Sequence, residues 1–305
     1  MKQASQSHRG VVGIGRATVS RQNRIIPGGR LIRAMAVLCL YWVAVNVCTA
    51  QALDGMVISW TNDHLTVMGP KLPGAKLDIW FLEAFCCSNS THQTWDKTTI
   101  PHQTKLVTAT PNLLRFRTVV STNVLVYHQV RAGKDELEFT FEIKSLSNTP
   151  LDLEWFQPAC IRVDRFTGRN QRGYISRSFV FTDSGLTTLD KTKRSEEAIY
   201  RGGQVYVPKG INLNDVNPRP ISGTQPVNGL IGCFSADDKY LLATASDQTQ
   251  ELFEGVIVCL HSDPRIGGLK PRETKKIRSK LYILPNDVPA LLKRYHQDFP
   301  DASMR

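Results

Sequence analysis

The chain has 305 residues, with 38 Lys and Arg against 27 Asp and Glu and a formal net charge of +11. Seven of the bases and none of the acids fall in the first fifty residues, which leaves 31 bases against 27 acids, a net +4, for the rest. So small an excess, with no basic cluster beyond the strand-like segment 270–280, argues against nucleic-acid binding.

The first fifty residues have the composition of an export leader. Scattered bases precede an apolar run at 34–47, AMAVLCLYWVAVNV, and the small residues of CTAQA follow it. A run of about 14 residues suits the core of a signal peptide and is short of the roughly 20 that span a bilayer. We predict a signal peptide within 1–50, cleaved after Ala50 or Ala52, and a secreted or periplasmic protein with no membrane span in its mature part. A retained anchor is the alternative.

The remaining residues, 51–305, suffice for one large domain with a sizeable core. Because an odd number of cysteines cannot all pair within one chain and each lies in an apolar run, buried free thiols are predicted, with one disulfide left open. No CxxC or Cys/His spacing suggests zinc, so no metal and no other cofactor is predicted. The cysteines of this region are Cys86, Cys87, Cys160, Cys233 and Cys259.

Extended strands are predicted through most of this region, because apolar residues recur at every second position. The first two, MVISW and HLTVM, meet at a hairpin turn at Asn62-Asp63. KLDIWFLEAFC, TKLVTATPNLLRFRTVV and VLVYHQVRAGKDELEFTFEIKS follow, and residues 137–143 of the last alternate most strictly. His128 is predicted to be a surface or cross-strand residue.

The second half of the chain adds a loop, more strands and a helix. Segment 183–226 is rich in Gly, Pro, Asn and charge and is predicted as a long loop, which is more often functional than idle. Strands resume in GLIGCFSADDKYLLATASD, GVIVCLHSDP and KKIRSKLYIL. One helix is predicted at about 287–297, capped by Asn286 or Asp287, with Pro289 in its first turn.

Polar residues follow a strand-like stretch in LDLEWFQPACIRVDRF, residues 151–166. Period-two alternation places Arg162 and Asp164 on one face of its second strand. Planar Arg, Gln and Asp side chains beside a tryptophan suit sugar binding, in which the ring stacks on C–H groups and the polar groups bind hydroxyls. The alternative is a polar loop that only solvates the strand ends. The predicted ligand-binding residues here are Trp155, Gln157, Arg162, Asp164 and Arg165.

His261 ends the apolar strand GVIVCL, and Asp263 and Arg265 follow it in SDPR. A histidine beside a carboxylate can donate a proton or bind a ligand, so His261 and Asp263 are the predicted catalytic residues and Arg265 a ligand-binding residue. The alternative is a strand end with a local salt bridge. The motifs GxSxG, HExxH, the P-loop and a GxGxxG after a strand are absent from the sequence.

Two longer segments, KDELEFTFEIKSLSNTPLDLEWFQP (134–158) and GVIVCLHSDPRIGGLKPRETKKIRSKLYIL (255–284), resemble the galactose mutarotase-like (aldose 1-epimerase) supersandwich family. The first is similar to the middle of that fold, where a strand leads into an aromatic-His-Pro step. The second is similar to its end, where an apolar strand presents a catalytic Glu and an L-x-P-G-E-T turn precedes the last strand. The residues that fit this turn and strand are Leu269, Pro271, Glu273, Thr274 and Tyr282.

The resemblance implies a sugar-shaped cleft but departs from the family pattern at both catalytic positions. The histidine that acts as general acid in the pattern is Gln157 here, and its general-base glutamate falls on His261 or Asp263. Because an amide does not titrate, Gln157 cannot donate a proton at neutral pH, and epimerase activity is not expected. The chain as a whole also resembles uncharacterised secreted bacterial proteins, which implies no mechanism.

Together these features predict an all-β protein, a large antiparallel β-sandwich of the supersandwich kind with one C-terminal helix. The predicted function is a secreted carbohydrate-binding protein without epimerase activity, whose partner is a glycan. One alternative is a carbohydrate-active enzyme for glycosides or uronides that uses His261 with Asp263, or paired carboxylates such as Asp164 and Glu251. Another is a structural or interaction protein of the cell envelope, with segment 183–226 wrapping a partner. The oligomeric state stays open.

Overall fold

Alternation of apolar and polar residues produces extended chain over most of the protein. The computed structural model describes residues 55–303, and the leader predicted within 1–50 lies outside them. In chain order the strands are β1 (Val57–Thr61), β2 (His64–Met68), β3 (Lys76–Trp80), β4 (Ala84–Cys86), β5 (Thr99–Ile100), β6 (His102–Thr110), β7 (Leu113–Val120), β8 (Val124–Ala132), β9 (Glu136–Ser145), β10 (Trp155–Gln157), β11 (Cys160–Arg162), β12 (Ser178–Thr182), β13 (Gly185–Thr188), β14 (Gly203–Tyr206), β15 (Ile231–Phe234), β16 (Tyr240–Ser246), β17 (Thr249–Gly255), β18 (Cys259–Pro264) and β19 (Thr274–Pro285).

These strands form three sheets, and every strand pairing within them is antiparallel. The nine-stranded sheet has the order β13-β12-β15-β16-β19-β9-β8-β7-β6, and the seven-stranded sheet the order β1-β2-β3-β11-β18-β17-β14. A small sheet, β10-β4-β5, completes the set. The predicted all-β antiparallel fold is confirmed, and the predicted hairpin joins β1 to β2 through Asn62 and Asp63, both with positive φ.

One hydrophobic core joins the two large sheets. In β9 the residues at 137, 139, 141 and 143 are buried and their neighbours are not, as the alternation predicts. They belong to the same cluster as Ile79, Ile161 and Leu260 of the seven-stranded sheet. Each large apolar side chain buried in this way contributes about 1.5–3 kcal/mol to folding. We call the side of the seven-stranded sheet that faces away from this core its outer face.

The predicted C-terminal helix is confirmed by α3, whose first turn is capped by Asp287, since that carboxylate accepts a hydrogen bond from the Ala290 N–H at 2.9 Å. Leu291 and Tyr295 bury its apolar side beside Tyr282 of the nine-stranded sheet. Within the described residues, no helix has the length and hydrophobicity that a membrane span requires. The helices are α1 (Trp95–Thr98), α2 (Asp164–Thr167), α3 (Val288–Asp298) and the 3-10 turns Pro73–Ala75, Ser90–His92, Tyr174–Ser176, Leu189–Lys191, Glu196–Ile199, Leu213–Asp215 and Pro300–Ser303.

The segment 151–166 departs from the predicted pair of long strands. Its first part is a strand only in β10, and the second leaves the strand after Arg162 and forms α2. The Thr167 N–H donates to the Val163 carbonyl at 2.8 Å, which closes a helical turn. Asp164 therefore shares no strand face with Arg162, and that prediction is wrong.

Candidate functional site

The outer face of the seven-stranded sheet carries three of the polar residues that the sequence singled out, Arg162, His261 and Asp263. Ile79, Ile161 and Leu260 point into the core, so the residues next to them in sequence point outward. The strand register aligns these outward residues in two rows across the sheet. The rows are His64, Trp80, Cys160, His261 and Phe253, and beside them Thr66, Asp78, Arg162 and Cys259.

One half of this face is covered and contains a group of polar residues that we call the buried cluster. His261 lies at its centre, with its Nε2 at 3.4 Å from the Cys259 Sγ and at 3.9 Å from the Glu83 Oε2. Its other nitrogen, Nδ1, is 3.5 Å from the Asp263 Oδ1. The members are Glu83, Gln157, Cys160, Cys259, His261 and Asp263.

Gln157 is tied into the buried cluster through both its side chain and its backbone. Its Nε2 donates to the Asp263 Oδ2 at 2.9 Å, and its carbonyl accepts the Glu83 N–H at 2.9 Å. The structure thus brings together three of the predicted residues, Gln157, His261 and Asp263. The Gln157 amide binds the Asp263 carboxylate and does not titrate, so it cannot act as a general acid.

The electrostatics of the buried cluster favour a protonated histidine between carboxylates. Burial by itself would lower the pKa of His261, but its interactions with the Cys160 sulfur and the Asp263 carboxylate raise that pKa well above its usual range. Burial raises the pKa of Asp263 and that of Glu83, and the charge of His261 opposes both shifts. Of these three side chains only Glu83 has appreciable exposure, at 20%.

The other half of the outer face is open and forms an aromatic patch, made of His64, Thr66, Asp78, Trp80 and Arg162. The Trp80 ring is 42% exposed and stacks with His64, with centroids 6.4 Å apart and planes at 28°. Asp78 accepts a hydrogen bond from the Thr66 hydroxyl at 3.3 Å. The Nε of Arg162 is buried and has no hydrogen-bond partner among residues 55–303.

Trp155 does not contribute a binding face, and its prediction as a stacking residue is wrong. It is fully buried, its Nε1 donates to the Ser90 Oγ at 3.2 Å, and its ring packs on Trp95. All three residues of β10 are buried, because the small sheet lies inside the protein. Alternation cannot distinguish an inner from an outer residue in such a strand.

Three other predicted ligand-binding residues lie away from the buried cluster. Asp164 and Arg165 are exposed in α2, directly after the Arg162 of the aromatic patch. Arg265 donates from its Nε to the Glu154 Oε1 at 3.0 Å, and it lines a different cavity, of about 510 Å³, with Lys275. The salt bridge of Arg265 agrees with the simpler alternative for the strand end.

The carboxylate pair Asp164 and Glu251 is also not brought together as a catalytic pair. Glu251 is fully buried and accepts the Asn217 N–H at 2.7 Å, whereas Asp164 is exposed in α2. Burial raises the pKa of Glu251 well above its usual range, with Asp263 adding to the shift. Because Glu251 is enclosed and Asp164 is exposed in α2, the two carboxylates do not face one open cleft, as a glycosidase pair must.

The predicted loop at 183–226 is an ordered part of the fold rather than a free arm. It contains β13, β14 and three 3-10 turns. Asp215 accepts the Asn89 N–H at 2.7 Å, and the Val216 carbonyl accepts the Ser90 hydroxyl at 2.8 Å. The segment therefore covers part of its own chain, and its wrapping of a partner stays a prediction.

Sequence reasoning missed Glu83, Cys160, Cys259 and Trp80. For Trp80 a signal existed, because Lys76, Asp78 and Trp80 alternate with apolar residues in KLDIWF and so share the outer face. Cys259 and His261, two apart on one strand, likewise share a face. Nothing local connects them with Cys160 or Glu83, which reach the site only through strand pairing.

The fold and the site define a class: an all-β antiparallel sandwich with a polar outer face on one sheet. The chain matches no protein-family model and no curated protein sequence. Its fold is similar to that of several solved structures. A galactose mutarotase-like protein from Lactobacillus casei is 7% identical, with a TM-score of 0.40, over 75% of this chain and 100% of that one.

Two further structures with a similar fold come from Lactobacillus acidophilus. A galactose mutarotase related enzyme is 9% identical, with a TM-score of 0.41, over 75% of this chain and 97% of that one. A galactose 1-epimerase is 8% identical, with a TM-score of 0.36, over 76% of this chain and 98% of that one. These are proteins of the family that the two sequence segments resemble, and the likeness concerns the fold alone.

Proposed function

We propose that the protein is exported by its N-terminal leader and binds a carbohydrate on the aromatic patch, without epimerase activity. The observation that carries the proposal is the exposed Trp80 ring on a flat sheet face, with Asp78 and Arg162 in the adjoining row. Aromatic faces stack on the C–H groups of sugars, and planar charged groups bind adjacent hydroxyls. Trp80 takes the stacking role that the sequence assigned to Trp155.

Two features support binding without epimerase chemistry. Gln157 replaces the expected acid and its amide is engaged by Asp263. His261 is 1% exposed, so a sugar on the patch meets Trp80 and Arg162 and not the imidazole.

One observation favours a carbohydrate-processing enzyme as a second candidate function. Glu83 reaches the surface in part, its pKa is raised by burial, and His261 and Asp263 continue inward from it. A carboxylic acid with a raised pKa at the border of a sugar site is suited to general acid catalysis. Glu83→Gln would then abolish turnover and leave binding intact.

The test is a glycan array followed by calorimetric titration of any glycan that binds. Trp80→Ala is expected to weaken that binding about 10-fold or more, since an aromatic contact contributes about 1 kcal/mol beyond its buried area. Tyr127→Ala is the matched control, because Tyr127 is 48% exposed on the nine-stranded sheet. Binding to no glycan, or loss in Tyr127→Ala with retention in Trp80→Ala, contradicts the proposal.

A mutarotation assay on glucose and galactose tests the missing epimerase activity. We expect interconversion of the anomers at the uncatalysed rate. A protein-dependent rate that Gln157→Ala abolishes would show the opposite.

A further inference from the structure

We propose that the buried cluster contains a zinc site. This proposal does not rest on the proposed sugar site. Its four ligands are Glu83, Cys160, Cys259 and His261.

The donor set of the buried cluster and its spacing suit a zinc ion. One atom each of Cys160, Cys259 and His261 lie within 4.8 Å of one another. Zn–S bonds of about 2.3 Å and Zn–N bonds of about 2.0 Å place tetrahedral ligands about 3.5 Å apart. The Cys259 Sγ and His261 Nε2 are already 3.4 Å apart, and the other separations exceed the tetrahedral spacing by at most about 1.3 Å.

The fourth ligand is Glu83, which lies beside His261 but outside the 4.8 Å group that the other three ligands form, and whose unmet bonding fits the role. Its Oε2 is 3.9 Å from the His261 Nε2, and the carboxylate also interacts with the Cys160 thiol. That oxygen is buried and has no hydrogen-bond partner in the described part of the chain. A buried, unpartnered carboxylate oxygen is costly unless a cation or a donor satisfies it.

His261 is supported from behind as a metal-binding histidine is. Metal-binding histidines direct their second nitrogen at a carboxylate, which fixes the ring and raises its basicity. Here the His261 Nδ1 faces Asp263 at 3.5 Å, and Gln157 holds that carboxylate by its other oxygen at 2.9 Å. The buried cluster thus has both a donor set and the outer partners that metal sites use.

The donor types indicate which metal the site would take. Sulfur and nitrogen donors in a tetrahedron select zinc rather than magnesium or calcium.

Their arrangement on the strands makes the geometry rigid. Cys259 and His261 lie two apart on β18, and the pairing of Ile161 with Leu260 sets Cys160 of β11 opposite His261. Glu83 is fixed by its N–H bond to Gln157. Sites built on strands are held more precisely than sites on loops.

The test is metal binding by the full chain, purified with a reductant and without added metal. Titration with Zn²⁺ against a chromophoric chelator is expected to show one ion per chain. Co²⁺ as a probe is expected to give the intense visible bands of a tetrahedral site together with thiolate-to-metal charge transfer. Cys160→Ser and Cys259→Ser are expected to lose both signals.

Controls separate the site from general effects on folding. Cys87→Ser, at a half-buried cysteine outside the cluster, is expected to bind zinc as the unmodified protein does. Asp263→Asn keeps all four ligands and is expected to weaken the affinity for zinc about 10- to 100-fold, as is usual when a residue that orients a metal ligand is replaced.

Three results would overturn the proposal. One is a reduced protein that binds no Zn²⁺ or Co²⁺. Another is wild-type stoichiometry in the Cys160→Ser, Cys259→Ser double variant. The third is a disulfide between these two cysteines in the protein isolated without reductant, found by peptide mapping, because oxidised sulfurs are not thiolate ligands. Each result leaves the glycan test unaffected, so the two proposals fail separately.

Discussion

Two histidines of the described chain are buried in strands, His128 at 4% exposure and His261 at 1%, and their neighbours differ. His128 stacks between Phe116 and Phe141, with centroids at 5.0 and 5.6 Å. His261 has carboxylates and thiols around it. Burial lowers the pKa of His128 to about 3, with a further contribution from His102, whereas that of His261 is raised well above its usual range.

The difference shows that burial alone does not determine what a histidine does. In an aromatic environment a charge has no compensation, so His128 stays neutral and acts as a flat core residue that bonds the Thr118 hydroxyl at 2.8 Å. Beside carboxylates the charge is compensated, so His261 can hold a proton or a metal. The surroundings of His128 suit a structural role, and those of His261 suit the binding of a proton or a metal.

The largest expected effect is the difference in the free energy of unfolding between two single variants, in which one or the other histidine is replaced by phenylalanine. His261→Phe leaves the buried Asp263 without its cation and should lower the free energy of unfolding by about 3–5 kcal/mol. His128→Phe preserves the stacking and should change it by about 1 kcal/mol or less, since Thr118 keeps its bond to Thr104. Urea unfolding at pH 7.5 with a chelator present measures both, and equal losses would contradict the comparison.

A smaller loss of stability is expected when the pH is lowered. The folded pKa of His128 is depressed below the unfolded value of 6.5, so its contribution to stability is complete above pH 6.5 and is lost as pH falls toward 3. At pH 5 the unfolded chain binds this proton and the folded protein does not, which costs about 2 kcal/mol.

The check is to unfold the unmodified protein and His128→Phe at pH 7.5 and at pH 5. The unmodified protein should lose about 2 kcal/mol more than the variant. Equal losses would mean that other groups cause the acid sensitivity.

The smallest effect is the difference in stability between two variants that each lose one hydrogen bond. Gln157→Leu removes the donor to the Asp263 carboxylate, and Thr118→Val removes the partner of neutral His128. Because bonds to charged groups are worth more than bonds to neutral ones, the first should cost about 1 kcal/mol more than the second. Denaturant midpoints of the two variants decide this, and the reverse order would count against a charged Asp263.

Much of the fold could be predicted because strands and helix ends have local signals. The alternation at 137–143, the turn at Asn62-Asp63 and the cap at Asp287 all agree with the structure. The five cysteines of residues 55–303 are free, as expected. Where a local signal is ambiguous, prediction failed: β10 is buried on all sides, and the chain turns into α2 at Asp164.

The site was predicted only in part. Gln157, His261 and Asp263 were identified, and the structure joins them. His128, expected to be a surface or cross-strand residue, is a cross-strand residue between Phe116 and Phe141, and it is buried because its side of β8 also faces Phe81. No spacing of cysteines and histidines predicts a metal site here, since spacing rules detect only ligands that are close along the chain.

What the sequence by itself determined is the class of fold and, in strands that alternate clearly, the side of the sheet on which a residue lies. Period-two alternation is a property of the strand alone, so it set Trp80 on the face opposite the core. Only the tertiary structure decided which residues meet. Cys160 and Cys259 are almost a hundred residues apart, and Glu83 precedes both of them by more than seventy residues. They converge because β11 pairs with β18 and a backbone bond holds Glu83 to Gln157, and neither pairing has a local signal.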